Sequence, residues 1–296
     1  MKTITIGVLG AGEMGAGLAR AFVAAGHTVV CDLSGRSAES RARAEEAGIR
    51  PARLLEVAAA DIVFSVLPTQ HARAEAARFA EVERRTGLSP VFVEANAIAP
   101  ALTREIAALF DGTDIGFIDA GLVGPPPEAD TRPRLYACGA DLSLLHRLNG
   151  SGFDLVAMEA EIGQASAFKM TYAAMTKGSN ALLTAVMLAA EAHGFLDLFV
   201  AEAEASQRAL ADRARATIPR LPCDAARWED EMRQIARTFA EIDLPPDFHK
   251  GAEAVMRLLA TSPFGAETRR TRDLSRSMEA TVKGISNNRE CNGLAR

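Results

Sequence analysis

Cysteine is scarce and scattered: Cys31, Cys138, Cys223 and Cys291 are the only four in 296 residues, and no C-x-x-C pair occurs. That excludes a disulfide framework and a cysteine metal site, and fits reduced thiols of a cytosolic protein that serve packing. The five histidines, His27, His71, His146, His193 and His249, show no ligand spacing either, so no metal is expected. Long apolar runs are missing, and none approaches the roughly 20 residues that span a bilayer. No basic-then-apolar leader opens the chain, so the expectation is a cytoplasmic protein without a membrane partner. A formal net charge of -5 lacks the dense basic face that nucleic acid requires. No G-x-S-x-G, H-E-x-x-H or Walker sequence is present, which removes the nucleophile or metal that hydrolase and nucleotide-triphosphatase chemistry needs. Internal repeats and low-complexity segments are also absent.

What is present is the composition of a globular protein, 48% hydrophobic and 24% charged. The length favours two cores over one. The first half alternates strand and helix patterns. Strand-like runs are Thr3 to Leu9, Thr28 to Cys31, Asp61 to Leu67, Val91 to Val93, Phe117 to Ile118 and Leu135 to Cys138, each followed by a turn or loop signal. Helical spacing fills Met14 to Ala25, Arg36 to Ala47 and His71 to Arg85. This predicts an α/β fold, a Rossmann-type doubly wound and mostly parallel sheet over residues 1–161. From 162 to 296 strand signals stop. Helix-period patterns run through Ala165 to His193, Leu196 to Ala216, Ala225 to Glu241 and Phe248 to Leu259, so the second domain is expected to be all-helical. The nearly uncharged stretch Asn180 to Ala190 implies burial on every side, in that domain's core or in a homodimer interface. Arg269, Arg272 and Arg276 read as one salt-bridged helix face, and the polar end from about Ser286 as a frayed one.

Gly10-Ala11-Gly12-Glu13-Met14-Gly15 is a G-x-G-x-x-G that follows the first strand, opens the first helix and precedes an acidic residue, Asp32, at the end of the second strand. Each glycine has a task in dinucleotide binding: Gly10 for the tight turn, Gly12 for backbone approach to the pyrophosphate, Gly15 for close helix-strand packing. The helix N-terminus supplies N–H groups and positive dipole to the phosphates. Asp32 suits the ribose hydroxyls of NAD and repels a 2′-phosphate, whereas Arg36 and Arg41 just downstream are able to hold one. The cofactor is NAD or NADP, with a slight preference for NAD.

With these residues the sequence resembles the β-hydroxyacid dehydrogenase and 6-phosphogluconate dehydrogenase superfamily, and within it the uncharacterised phosphogluconate-dehydrogenase-like subgroup with a Lys-Met-x-x-x-x-x-Thr-Lys-Gly helix. The match begins at Gly10 to Ala19 and extends to about Gly265. Val66-Leu67-Pro68 resembles the loop on the nicotinamide side of the cofactor, and Glu94 to Pro100 the substrate-loop signature, with Asn96 at its small polar position. Asp119 to Pro125 resembles the segment that binds the substrate acid through its backbone, and Gly163 to Lys169 the segment that delivers the catalytic lysine. The resemblance thus implies cofactor contacts from Leu67, Pro68 and Asn96, and substrate contacts from Asn96, Gly121, Val123 and Gly124. Three places depart from the pattern. Ala173 stands where members usually carry an asparagine, Arg227 to Met232 occupies the region of a later Lys-Asp-Leu, and Pro125, Pro126 and Pro127 replace a second glycine.

Hydride transfer belongs to the nicotinamide, so the protein must place substrate and handle one proton. Lys169 is the candidate general acid/base, on the first helix of the helical domain, if desolvation or a nearby cation lowers its pKa. At about 100° per residue, Tyr172, Thr176 and Asn180 fall within about 60° of Lys169 and form a polar stripe, with Lys177 at about 80°. Tyr172 and Lys177 join Lys169 as catalytic candidates, and Thr176 and Asn180 as substrate-binding ones. The expected function is an NAD(P)-dependent oxidoreductase acting on a small, anionic hydroxy acid or its carbonyl counterpart. An imine reductase, or a silent dinucleotide-binding sensor, is the alternative.

Overall fold

The computed structural model describes residues 3–291. It divides into two compact units, Met1–Met170 and Thr171–Arg296, a break that falls later than the expected one at 161. The first unit runs β1 (Thr5–Val8), α1 (Glu13–Ala24), β2 (Thr28–Cys31), α2 (Ala38–Glu46), β3 (Arg50–Pro51), α3 (Leu54–Ala58), β4 (Ile62–Ser65), α4 (Ala72–Thr86), β5 (Val91–Glu94), α5 (Pro100–Ala107), β6 (Gly116–Val123), β7 (Arg134–Gly139), α6 (Ser143–Leu148) and β8 (Asp154–Ala157), and α7 (Gln164–Ala173) carries the chain across the boundary.

The eight strands form one sheet in the order β3-β2-β1-β4-β5-β6-β7-β8. All neighbours are parallel except β6 and β7, so the doubly wound, mostly parallel sheet stands as expected. Its apolar side chains sort by strand alternation into two layers. Val63 and Phe64 are consecutive in β4, yet Phe64 joins Ile6, Leu18, Phe22 and Phe153 in one layer while Val63 joins Phe79, Phe92 and Phe110 in the other. Each fully buried phenylalanine contributes about 1.5–3 kcal/mol relative to exposure.

Two strands escape the sequence pattern. β3 is two residues with exposed side chains, and β8 lies at the sheet edge with no fully buried residue. β6 is longer than Phe117 to Ile118, because antiparallel pairing with β7 carries it on from Asp119↔Cys138 to Val123↔Arg134.

In the second unit the described residues form helices joined by turns, with no strand among them. After a π-helical turn at Ala174–Gly178 come α8 (Ser179–Ala192), α9 (Leu196–Ser206), α10 (Arg208–Thr217), α11 (Pro222–Ala240), α12 (Asp247–Ala260) and α13 (Met278–Cys291). Within the single chain, the stretch expected to be buried in this domain's core or in a homodimer interface is covered by its own core only in part. Leu183, Met187 and Leu188 of α8 are buried, but Leu182 is 50% exposed and Met175, on the π turn, 60%. The expected single helix from Leu196 to Ala216 breaks at Gln207, whose backbone leaves helical geometry. Arg269, Arg272 and Arg276 lie in turns after Pro263, not on a helix. They are still ion-paired in part: Arg269 with Asp224 at 3.0 Å and Arg276 with Glu267 at 2.6 Å. Helix α13 continues through Ser286 to Cys291, so the fraying expected from Ser286 does not begin there, and the rest of that expectation lies outside the described residues.

Candidate functional site

Three glycines shape the turn between β1 and α1, and their roles separate cleanly. A Cβ on Gly10 would stand 2.2 Å from the Val66 carbonyl oxygen, and one on Gly15 would stand 1.9 Å from the Gly10 oxygen. Both are therefore fixed by packing inside the protein. Neither has a positive φ, so the requirement at Gly10 is steric and does not come from a left-handed turn. Gly12 is different. Its φ is -71°, which any residue adopts, and a Cβ there would meet nothing within 4 Å. As the N-cap of α1 it makes no side-chain cap, although serine, threonine or aspartate would satisfy an N–H of the first turn. Open space and N–H groups without a side-chain cap are thus left beside Gly12 at the start of α1. Ala11 is buried, Glu13 and Met14 begin the helix, and the close approach at Gly10 brings the Val66-Leu67-Pro68 loop against the same turn.

A buried polar network spans the carboxyl ends of β4, β5 and β6. Asn96 is 3% exposed and both ends of its amide are engaged: Oδ1 accepts from the Leu67 backbone N–H, and Nδ2 donates to Ser65 Oγ at 2.8 Å. Its side chain thus fastens the β5 loop to the β4 loop. The Asn96 backbone N–H donates to Glu94 Oε1 at 3.0 Å. Glu94 is fully buried, and its Oε2 has no hydrogen-bond partner. Burial, against hydrogen bonds from Asn96, pushes its carboxyl up to about 8 from an ordinary 4.5, and the Asp119 carboxylate on the adjoining strand adds to the shift.

The folded protein holds this proton while the unfolded chain releases it. Stability from Glu94 is therefore fully present below pH 4.5 and is lost as pH rises to about 8. A change of this size corresponds to about 3–5 kcal/mol. Replacing Glu94 with Gln keeps the acceptor for Asn96 but removes the titration, so the variant's Tm should climb relative to wild type as pH goes from 5 to 8. A Tm difference that stays constant over that range contradicts the assignment.

Asp119 performs a separate task on the next strand. Its carboxylate accepts from the backbone N–H groups of Gly163 at 2.8 Å, Ala165 at 3.0 Å and Ser166 at 3.1 Å, and from Ser166 Oγ at 2.5 Å. It therefore caps the N-terminus of α7 from the sheet, satisfying donors that the helix leaves open. Burial pushes its carboxyl up, and the Ser166 and Gly163 donors oppose that. Ser166 Oγ is 2.7 Å from Thr103 Oγ1 of α5, which extends the network. Next to it, a Cβ on Gly121 would lie 2.7 Å from Lys169 Cβ and 2.9 Å from the Ala165 oxygen, so only glycine lets α7 lie this close to β6.

Lys169 is placed by these contacts. It belongs to the first unit, not to the helical one as expected, because Asp119 and Gly121 fasten the opening turns of α7 to the sheet. Its Nζ donates to the Leu122 carbonyl oxygen. β6 runs on to Val123 after its pairing with β5 ends at Glu94↔Asp119, so the edge of β6 facing β5 is unpaired by that strand around Leu122. Beyond it Gly124 has a φ of +128°, where a side chain would be strained and its Cβ 3.1 Å from Pro133. Pro126 and Pro127 then pack on α1, 3.1 and 3.0 Å from where a Gly17 Cβ would be. The proline run thus replaces a glycine turn with a rigid strap braced on the helix that begins at the fingerprint.

At the end of β2, Asp32 Oδ1 accepts from the Ser34 N–H at 2.9 Å. Arg36 precedes the Ser37 N-cap of α2 and donates to the Leu9 carbonyl at 3.0 Å. Arg41 Nε is taken by the Arg36 carbonyl at 3.1 Å, and Arg41 does not line the cleft beside Asp32.

In the second unit the residues expected as a polar stripe have partners of their own. Arg213 joins two of them, donating to Asn180 Oδ1 at 2.9 Å and to the Thr176 carbonyl at 2.8 Å. Lys177 forms an ion pair with the buried Glu231 and lies 5.1 Å from the centroid of Trp228. Tyr172 is 37% exposed. The π turn interrupts the steady advance of about 100° per residue on which the stripe was drawn.

Sequence reasoning did not single out Glu94, Asp119, Ser166 or Glu75 as site residues in their own right. A signal existed for the first two, since each is an acid directly after an expected apolar strand run, a place where a carboxylate is costly unless paired. Among the described residues no group of His, Cys, Asp and Glu is arranged to hold a metal, and no helix is long and apolar enough to cross a membrane.

The family model described as the NAD binding domain of 6-phosphogluconate dehydrogenase matches residues 5–158, and one described as a domain of unknown function (DUF1932) matches residues 190–259. No protein of curated function matches the sequence. Among solved structures, a conserved protein of unknown function with structural similarity to 3-hydroxyacid dehydrogenases is 26% identical, covering 88% of this chain and 100% of its own, with a TM-score of 0.66. A conserved hypothetical protein from Sinorhizobium meliloti 1021 is 24% identical over 97% of each chain, with a TM-score of 0.68. The 3-hydroxyisobutyrate dehydrogenase of Mycobacterium tuberculosis shares the fold at 17% identity, 95% of this chain and 99% of its own, with a TM-score of 0.64. By its fingerprint, its sheet and the model matched over the first unit, the chain belongs to the 6-phosphogluconate dehydrogenase-like superfamily, with a nicotinamide-dinucleotide-binding Rossmann domain.

Proposed function

We propose that the protein is an NAD(P)-dependent oxidoreductase that interconverts a small anionic hydroxy acid and its carbonyl counterpart, with Lys169 as general acid/base. The observation that carries this is Gly12, a glycine at the mouth of α1 that neither backbone conformation nor neighbouring atoms explain. A nicotinamide dinucleotide fits there: Gly12 leaves room for the pyrophosphate, α1 offers N–H donors, and Asp32 offers a carboxylate to the ribose hydroxyls. Asp32 also carries the preference for NAD. When bound, the nicotinamide supplies or accepts the hydride.

This chain's residues do the rest. Lys169, held at Leu122 by the capped helix α7, moves the proton to or from the substrate oxygen and attracts its anionic group. Asn96 keeps the Leu67-Pro68 loop in place, and the backbone at Gly121 and Leu122 borders the same lysine. The test is consumption of reduced dinucleotide against a panel of keto acids, keto sugar acids and cyclic imines. Turnover with a carbonyl acid is expected. Saturable binding without turnover across the whole panel assigns the protein instead to dinucleotide sensing, and turnover confined to imines assigns it to imine reduction.

A further inference from the structure

The cleft beyond the ends of β1 and β2 holds two guanidiniums and two carboxylates: Arg36, Arg78, Asp32 and Glu75 all line it, and its volume is about 240 Å³. Two come from the segment after β2. The other two come from α4, far along the chain from the glycine fingerprint.

Glu75 occupies the centre of this arrangement. Its Oε2 is 2.9 Å from Arg78 Nη1, its Oε1 is 3.9 Å from Arg36 Nη2, and its side chain is 16% exposed. Arg36 is held a second time at the Leu9 carbonyl, and Arg78 lies 4.0 Å from Asp32 Oδ2. Both arginines able to meet a phosphate in this cleft are thus already paired with the same carboxylate. With four charges summing to zero, a 2′-phosphate of about -1.5 to -2 would gain no net cation and would face Asp32 and Glu75 at close range.

We propose that Glu75 is a specificity-determining residue for the dinucleotide: by holding Arg36 and Arg78 it keeps the cleft neutral and excludes the 2′-phosphate. This rests on the proposed docking of a nicotinamide dinucleotide at α1. Asp32 alone would repel a phosphate but would leave two guanidiniums free to outweigh it. With Glu75 neutral, the cleft carries two positive charges against one negative, and an arginine-phosphate contact becomes available.

The experiment is a binding titration of NADH and NADPH, read by the fluorescence of the reduced nicotinamide, for wild type, Glu75→Gln, Arg78→Ala and the double variant. Glu75→Gln should shift the ratio of the two Kd values by tenfold or more toward NADPH while the Kd for NADH changes less than about threefold. Arg78→Ala alone leaves Asp32 and Glu75 against Arg36, so it should move the ratio further toward NADH, and in the double variant it should reverse much of the shift. An unchanged ratio in Glu75→Gln, or equal losses for both dinucleotides, overturns the proposal. So does a shift of the ratio toward NADPH in Arg78→Ala, a result that stands even if Glu75→Gln does not fold. Failure of wild type to bind either dinucleotide would instead overturn the docking itself.

Discussion

Replacing Gly12 with Leu should leave the protein folded and weaken dinucleotide binding by about 10²-fold or more, equivalent to about 2.7 kcal/mol. The expectation follows from what surrounds the residue. Nothing within 4 Å would meet the new Cβ, so the side chain occupies outer space that the protein itself does not use. Loss of glycine at an N-cap costs about 1 kcal/mol at most, a shift of a few degrees in Tm. Gly15→Ala supplies the contrast. Its Cβ would stand 1.9 Å from the Gly10 oxygen, a backbone atom that cannot step aside, so this variant should lose several kcal/mol of stability. Thermal unfolding and dinucleotide titration on both variants separate a ligand-facing glycine from a packing one. If Gly12→Leu bound NADH as tightly as wild type, the open space at α1 would have another use.

Lys169→Ala should cut turnover by about 10²- to 10⁴-fold on whichever panel member the wild type converts, while dinucleotide affinity changes by less than about threefold. Alanine is the strongest helix former, and the cap from Asp119 does not involve the lysine side chain, so α7 should persist. Lys169→Arg should not restore the rate, because a guanidinium remains protonated and cannot exchange a proton near neutrality. Single-turnover kinetics with saturating dinucleotide read the step directly. Unchanged turnover in Lys169→Ala would remove the lysine from proton transfer and leave it a substrate or structural contact at most.

What could be read from the sequence was local. Gly10, Gly12, Gly15 and Asp32 lie within one strand-helix-strand unit, where spacing alone fixes geometry, and the alternation of strands and helices forced the sheet. What could not be read depended on partners far along the chain. Asp119 meets its donors 44 to 47 residues later, so its role as the cap that sets Lys169 was hidden behind its place in a segment resembling one that binds the substrate acid. The engagement of the Asn96 amide by Leu67 and Ser65 is revealed only by the juxtaposition of β4 and β5. The length of β6 came from antiparallel pairing with β7, a tertiary effect on a segment whose own residues include glycine and aspartate. In the helical unit, the ion pair of Lys177 with Glu231 and the π turn before α8 both escaped a reading that assumed one regular helix with one polar stripe.

The most direct measurement is a titration of the wild-type protein with NADH and with NADPH, followed by calorimetry. A nicotinamide dinucleotide docked at the amino end of α1 predicts saturable one-to-one binding, tighter for NADH, and lost in Gly12→Leu. Absence of saturable heat with both dinucleotides up to about 1 mM, the upper end of ordinary enzyme-ligand affinities, would contradict it.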